Sequence, residues 1–265
     1  MTNQFSTLQV AVRSGGVAWV EMARPAVFNA FDEQMIGELD AAFAALAANR
    51  EVRLVVLSAQ GKHFSAGADL QWMQRASQAS EADNLADARR FAAMLARLAQ
   101  MPQPTIARVQ GAALGGGVGL VCACDMAIAS EDARFALSEA RLGILPAVIG
   151  PYLVNAVGPR QAKAWSLLAE GIDAQRALAI GLVHQAVRAD ELDAAVDSAL
   201  EALHKGSPQA QHAIKHFFGQ LSGGPVGEEA RELSAQTIAR ARTTSDAREG
   251  FAAFLEKRPP RWAAP

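Results

Sequence analysis

A chain of 265 residues, 51% hydrophobic and 20% charged, has the composition of a globular protein built as one sizeable domain, or one domain plus an appendage. Its formal net charge of −2 excludes a broad electrostatic surface for nucleic acid, while leaving room for a local basic cluster that holds a small polyanion. No run reaches the roughly 18 apolar residues of a membrane span, and Met1 to Phe5 lacks the charged and apolar regions of a signal peptide, so a reducing, cytoplasmic setting is the default expectation. The two cysteines, Cys122 and Cys124, stand in an apolar run at a spacing that suits one side of a strand, which predicts buried thiols and no mutual disulfide.

In chain order, Leu8 to Arg13 and Val17 to Met22 alternate across Ser14-Gly15-Gly16 and read as a hairpin. Arg24-Pro25 breaks the second strand. Asn29 to Asp32 then offers a helix cap ahead of Met35, Ile36, Leu39, Phe43 and Leu46 at helical spacing. Leu54 to Ser58 is continuously apolar, the mark of a strand covered on both faces. A loop of small residues follows from Gly61 to Ala68, then a helix-like Asp69 to Met73, and a helix over Glu81 to Gln100 that Met101-Pro102-Gln103-Pro104 ends. Strands are expected at Thr105 to Val109 and Met126 to Ala129, and the alternation argues a parallel α/β core. Pro146 and Pro151 punctuate a loop and a short helical segment. Beyond Pro159 the chain reads as mostly helical, with candidates at Glu191 to His204, Pro208 to Leu221, Glu228 to Arg242 and Asp246 to Glu256.

The chemistry centres on Gly111-Ala112-Ala113-Leu114-Gly115-Gly116-Gly117-Val118-Gly119. Three consecutive glycines oppose helix formation, so they fit a place where backbone N–H groups approach something closely, at a helix N-terminus that favours negative charge. The stretch has no Gly-Lys-Ser/Thr and fails the dinucleotide-binding pattern at Leu120, which removes the usual phosphate cradles. Ser65-Ala66-Gly67-Ala68 is a second such loop after a strand, and two loops at adjacent strand ends could aim two N–H groups at one oxygen. Close helix–strand packing and an ordinary tight turn are the competing readings. Glu139, among apolar residues just past a strand, could exchange protons; it could equally be a helix N-terminal acid or a partner for Arg141. His63 lacks an accompanying nucleophile motif and reads as a positional histidine. No close cluster of His, Cys and acidic residues points to a metal.

These segments resemble the crotonase family, the enoyl-CoA hydratase/isomerase superfamily. The likeness runs through Arg24-Pro25 with Asn29-Ala30, His63 to Asp69, Gly111 to Gly117, Cys124-Asp125, Phe135 to Gly143, Gly181-Leu182-Val183 and Glu249 to Arg258. The resemblance implies an α/β fold with a crotonase-like ββα spiral core over residues 1–195 and a C-terminal helical oligomerisation region over 196–265. It implies homotrimers, or hexamers made as dimers of trimers. It implies no cofactor, coenzyme A being part of the acyl-CoA thioester substrate, and neither a nucleic-acid nor a membrane partner. The N–H groups of Ala68 and Gly116 would hold the thioester oxygen. Ala66, Asp69 and Leu70 would line the bent CoA, Phe254 and Lys257 would approach it, often from a neighbouring subunit, and Arg24 would be a phosphate contact or else a surface charge.

One departure carries information. Family hydratases commonly carry two glutamates, the first two residues after the glycine triplet; here that position is Gly119, leaving Glu139 as the matched carboxylate. Gly115 to Leu120, Leu137-Ser138-Glu139 and Leu145 to Tyr152 look like bacterial methylglutaconyl-CoA hydratases and their isohexenylglutaconyl-CoA relatives. The expectation is hydration of a branched, carboxylated enoyl-CoA, with the glycine freeing volume for the branch and Arg75, Arg89, Arg90 or Arg141 meeting the distal carboxylate. A single-glutamate enoyl-CoA isomerase and a non-catalytic CoA-binding protein are the alternatives.

Overall fold

The computed structural model describes residues 5–221 and 225–263. Its strands are β1 (Leu8–Arg13), β2 (Val17–Met22), β3 (Leu54–Ala59), β4 (Thr105–Val109), β5 (Ala112–Leu114), β6 (Met126–Ser130), β7 (Arg134–Ala136), β8 (Gly171–Asp173) and β9 (Gln185–Val187). The helices are α1 (Glu33–Ala48), α2 (Leu70–Gln78), α3 (Glu81–Ala99), α4 (Gly116–Ala123), α5 (Gly150–Leu168), α6 (Ala174–Ala179), α7 (Leu192–His204), α8 (Pro208–Gln220), α9 (Glu228–Ala241) and α10 (Ser245–Leu255). Among the described residues, no helix is long and apolar enough to cross a membrane.

A six-stranded sheet runs β1-β2-β3-β4-β6-β9, antiparallel at the hairpin and parallel from β2 onward. The hairpin pairs Leu8 with Met22 and Arg13 with Val17. β3 is buried at every position because both of its faces are covered. Val55 and Leu57 meet α1, α3 and α4 in the main core, where Phe43, Met94 and Leu95 are fully buried. Leu54 and Val56 meet Leu192, Val196 and Leu200 of α7 on the other side. The boundary expected at 195/196 therefore falls inside α7, whose apolar stripe completes the sheet's second face; the whole helix belongs to the core.

A second, three-stranded sheet, β5-β7-β8, is absent from the sequence reading. Each of its strands has only three residues, too few for an alternation to register, and β5 lies inside the glycine stretch itself. The cysteines are also corrected. Cys122 lies in α4 and Cys124 caps its C-terminus, so they do not share a strand face. Burial nonetheless pushes the Cys122 thiol up to about 12 and raises Cys124 as well, which keeps both protonated near neutrality.

The helices after α7 pack differently. α8 and α9 bury no residue, and α10 buries only Glu249 and Ala253. α8 is tied to the core through Lys215, whose ammonium donates to Asp125 at 2.6 Å and to the Gln103 carbonyl at 2.9 Å.

Asn29 fixes the loops that follow β2 and β3. It is fully buried with φ +55°, and its amide donates to the carbonyls of Gln60 and His63 at 2.9 Å each, while its Oδ1 accepts from the Arg24 N–H at 2.9 Å. Asn tolerates the left-handed conformation better than residues without a short polar side chain. An Asn29→Ala variant orphans three backbone groups and strains the backbone, and is expected to lose about 3 kcal/mol. The thermal midpoint should fall by roughly 10 °C. An unchanged melting curve would contradict this role.

Candidate active site

The site forms where the loop after β3 meets the chain between β5 and α4. Ser65 pairs with Ala113 as a parallel bridge: its N–H donates to the Ala112 carbonyl at 3.0 Å, and its own carbonyl accepts from the Leu114 N–H at 2.9 Å. Ala68 pairs with Phe31 the same way, but through its neighbours: Phe31 N–H donates to Gly67 O and Asp69 N–H to Phe31 O, both at 2.7 Å. In a parallel bridge, the residue whose neighbours make the bonds turns its own N–H to the opposite side. Phe64, Ser65, Ala66, Gly67 and Asp69 all donate their N–H to an acceptor, whereas Ala68 has none among the described residues.

Gly116 is the first residue of α4, so its N–H has no acceptor within the helix, and none elsewhere among the described residues. Gly67 (φ +85°) and Gly115 (φ +48°) let the two segments come this close; a Cβ on Gly67 would lie 2.9 Å from the Leu114 carbonyl oxygen. Two undonated N–H groups thus border one cavity of about 390 Å³, to which Ala66, Ala68, Leu70, Gly116 and Glu139 all contribute.

Glu139 opens a 3-10 turn (Glu139–Leu142) just past β7. Its Oε1 lies 3.2 Å from where a Cβ on Gly115 would stand, and its Oε2 is buried with no hydrogen-bond partner. Burial holds the carboxyl above its ordinary value, opposed only by its own backbone hydrogen bond. Arg141 is exposed and makes no ion pair with it, so the reading as a salt-bridge partner fails. Among the described residues, Glu139 is the one ionisable side chain lining the cavity. A half-buried carboxylate with an unused oxygen beside a pair of free N–H groups can move protons next to an oxyanion.

The remaining expected residues separate. Arg24 donates to the Ala30 carbonyl at 2.7 Å and pairs with Asp32 at 2.9 Å and Asp69 at 3.2 Å, so its guanidinium is engaged within the chain. Asp69 also caps α2 by accepting from the Gln71 N–H at 2.9 Å, so its carboxylate braces the loop. Phe254, 81% exposed, borders a different cavity of about 610 Å³ among α8, α9 and α10. Lys257 borders neither cavity. His63 is positional: its Nδ1 accepts from the Ala112 N–H at 3.0 Å, and its ring stands edge-on to Phe28.

The wall residues Phe31, Trp72, Phe91, Leu142 and Ile149 were not singled out from the sequence. Leu142 and Ile149 sit in stretches that carry the family resemblance, and of the two it is Ile149 that packs against Gly119. It occupies the space that Gly119 was expected to leave open: a Cβ on Gly119 would fall 2.3 Å from Ile149 Cγ2. The missing side chain therefore gives no extra room to a substrate.

Comparison with known proteins decides the family. Residues 12–265 match the family model described as enoyl-CoA hydratase/isomerase. The chain belongs to this family. Its fold is that of a crystallised enoyl-CoA hydratase from Shewanella pealeana, with a TM-score of 0.94 and 41% identity over 98% of this chain and 97% of that one. A Thermus thermophilus protein that carries an enoyl-CoA hydratase name is 34% identical over 253 residues, covering 96% of this chain and 100% of the relative. A trans-2-decenoyl-[acyl-carrier-protein] isomerase of Streptococcus mutans is 29% identical over 252 residues, 93% of this chain and 94% of the relative. Membership in the enoyl-CoA hydratase/isomerase family is consistent with the mixed α/β fold and its C-terminal helices.

The partial burial of the Glu139 carboxyl makes a pH-dependent prediction. A carboxyl raised in the folded state binds its proton more tightly than the unfolded chain does, so stability falls as pH climbs from the ordinary value of 4.5 through the raised one. Glu139→Gln, which needs no ionisation, should melt above the wild type at pH 7. The advantage should shrink as pH drops below 4.5 and the wild-type carboxyl becomes protonated in both states. A difference in melting point that does not change with pH would contradict the burial argument.

Proposed function

We propose that the chain adds water across the C2=C3 bond of a branched, carboxylated enoyl-CoA, with 3-methylglutaconyl-CoA favoured and isohexenylglutaconyl-CoA next. The observation that carries this reading is the pairing of two free N–H groups with one carboxylate around the cavity. The free N–H groups of Ala68 and Gly116 border it, and Glu139 is the one carboxylate lining it among the described residues. The thioester carbonyl sits on the N–H pair. Glu139 takes a proton from water as its oxygen bonds to C3, the electrons move to the thioester oxygen as an enolate, and the two N–H groups hold that charge. The protonated Glu139 then returns the proton to C2, leaving the carboxylate as it began. Hydroxyl and hydrogen are both accounted for with one acid–base group.

The substrate's distal group rests on the sequence pattern around Gly115 to Leu120 and Leu145 to Tyr152. No arginine or lysine lines the cavity among the described residues. Arg75 is held by Glu33 through two bonds of 3.0 and 2.8 Å, and Arg90 pairs with Asp87. That leaves Arg89 and Arg141 as the candidates without an ion-pair partner among the described residues, with Arg141 on the turn that carries Glu139. No cofactor enters this scheme, since coenzyme A arrives as part of the substrate. Assembly into a trimer or hexamer would let Phe254 and Lys257 reach CoA in a neighbouring copy, and the exposed Phe251, Phe254 and Leu255 of α10 favour such packing.

An isomerase reading has its own support, since one carboxylate suffices to move a proton between carbons and the Streptococcus mutans relative is named for that reaction. The test is a mass-resolved assay with 3-methylglutaconyl-CoA, its isohexenyl homologue and crotonyl-CoA. The expected product is heavier by one water, formed fastest from 3-methylglutaconyl-CoA, and Glu139→Gln should lower kcat by about 10²–10⁴-fold while remaining folded. A product of unchanged mass establishes isomerisation instead, and a folded Glu139→Gln variant at wild-type rate removes the mechanism.

A further inference from the structure

Gly119 is buried in the middle of α4, and its neighbour is fixed. A Cβ there would lie 2.3 Å from Ile149 Cγ2, 3.0 Å from Ile149 Cβ and 3.7 Å from Leu95 Cδ1, the first far inside any real contact distance. Ile149 has little freedom to retreat. It is 3% exposed and forms the N-cap of α5, its carbonyl accepting from the Leu153 N–H at 3.0 Å while the next residue's N–H donates to Ala147 at 3.2 Å. β-Branching restricts its rotamers further. Ile149 also lines the candidate cavity together with Gly115, Gly116 and Glu139.

We infer that Ile149, seated on the bare Cα of Gly119, is the specificity-determining residue that sets the width of the cavity beside the reacting carbons. The ligand class, a C3-substituted acyl-CoA, rests on the proposed function. Two consequences follow from the packing. A larger group on C3 meets a stiff aliphatic wall, and hydrocarbon fills the place where α4 could otherwise present a second acid, which confines proton transfer to Glu139. In an apolar pocket, one methyl group more or less is worth about 10–200-fold in discrimination.

The test uses two saturated thioesters that differ by one methyl on C3, isovaleryl-CoA and 3,3-dimethylbutanoyl-CoA, titrated calorimetrically. Wild type should favour isovaleryl-CoA, and Ile149→Ala should raise the relative affinity for the dimethyl compound about tenfold. An unchanged ratio, with both probes bound by wild type, overturns the inference alone. Wild type that binds neither probe also overturns the inference, while the mass-resolved hydration assay reads the proposed function separately. A melting cycle tests the packing without any ligand: Gly119→Ala should lower the midpoint of the wild type, and should lower it much less when Ile149→Ala is already present. A double variant whose losses simply add overturns the seating of Ile149 on Gly119.

Discussion

The site depends on a backbone constraint: the N–H of Ala68 faces the cavity because the amides on either side of it are held. Gly67 and Asp69 are stitched to Phe31, and Ser65 to Ala112 and Leu114. Ser65 Oγ adds a bond to the Asn29 carbonyl at 2.9 Å and accepts from the Gly67 N–H at 3.2 Å. A flexible loop would turn its amides toward water or toward each other, since each unpaired buried N–H costs about 1–3 kcal/mol. This loop cannot, so the free donor is preorganised. Arg24, Asp32 and Asp69 extend the brace from the end of β2 to the start of α2, which explains why those charges are spent within the chain.

Much of this was legible in residue order, for physical reasons that differ by element. The hairpin, β3 and the helices α1 and α3 announce themselves because each has enough residues for a period to register and a distinct punctuation at its ends. The glycine stretch was visible as a chemical anomaly, and so was the isolated Glu139. The β5-β7-β8 sheet was not, because it is made of pairings between distant three-residue segments with no periodicity of their own. The cysteines were misplaced for a related reason: a short apolar run between Gly119 and Asp125 reads equally well as a buried strand or a buried helix. Ile149 could not be assigned to the cavity wall because its position depends on where α5 starts relative to α4, a tertiary fact.

The glycines of the core segment solve different problems within a few residues of one another. Gly115 supplies a positive φ at the turn into α4. Gly116 leaves room for Phe31 and Phe91, whose ring carbons would lie 2.9 to 3.0 Å from an added Cβ. Gly117 clears Ser65, whose Cβ would lie at 2.9 Å, and Gly119 clears Ile149. Read along the chain, they are one glycine-rich motif. Read in space, they are separate close approaches that bring two loops, two aromatic rings and one aliphatic wall onto a single short helix. That is why α4 can be helical despite a composition poor in helix formers: its stability comes from tertiary packing of a segment that is mostly buried, and the cost of glycine, about 1 kcal/mol each, is offset by contacts no larger residue would permit.

Glu139 shows the opposite balance. Its carboxyl is partly withdrawn from water, has an oxygen without a partner and receives no neutralising cation, so the folded chain is less stable for holding it ionised. Arg141 stands two residues away and turns outward. An ion pair there would lower the carboxyl's pKa and occupy the oxygen that now has no partner, removing both the basicity and the open coordination that proton exchange needs. The strain is confined to one side chain on a 3-10 turn closed by a left-handed glycine, Gly143, while the loops that carry the N–H groups are fully bonded around it. Rigid donors and a destabilised base in one cavity are therefore complementary features. In the proposed hydration the first would hold charge without reorganising, and the second would give or take the proton that creates that charge.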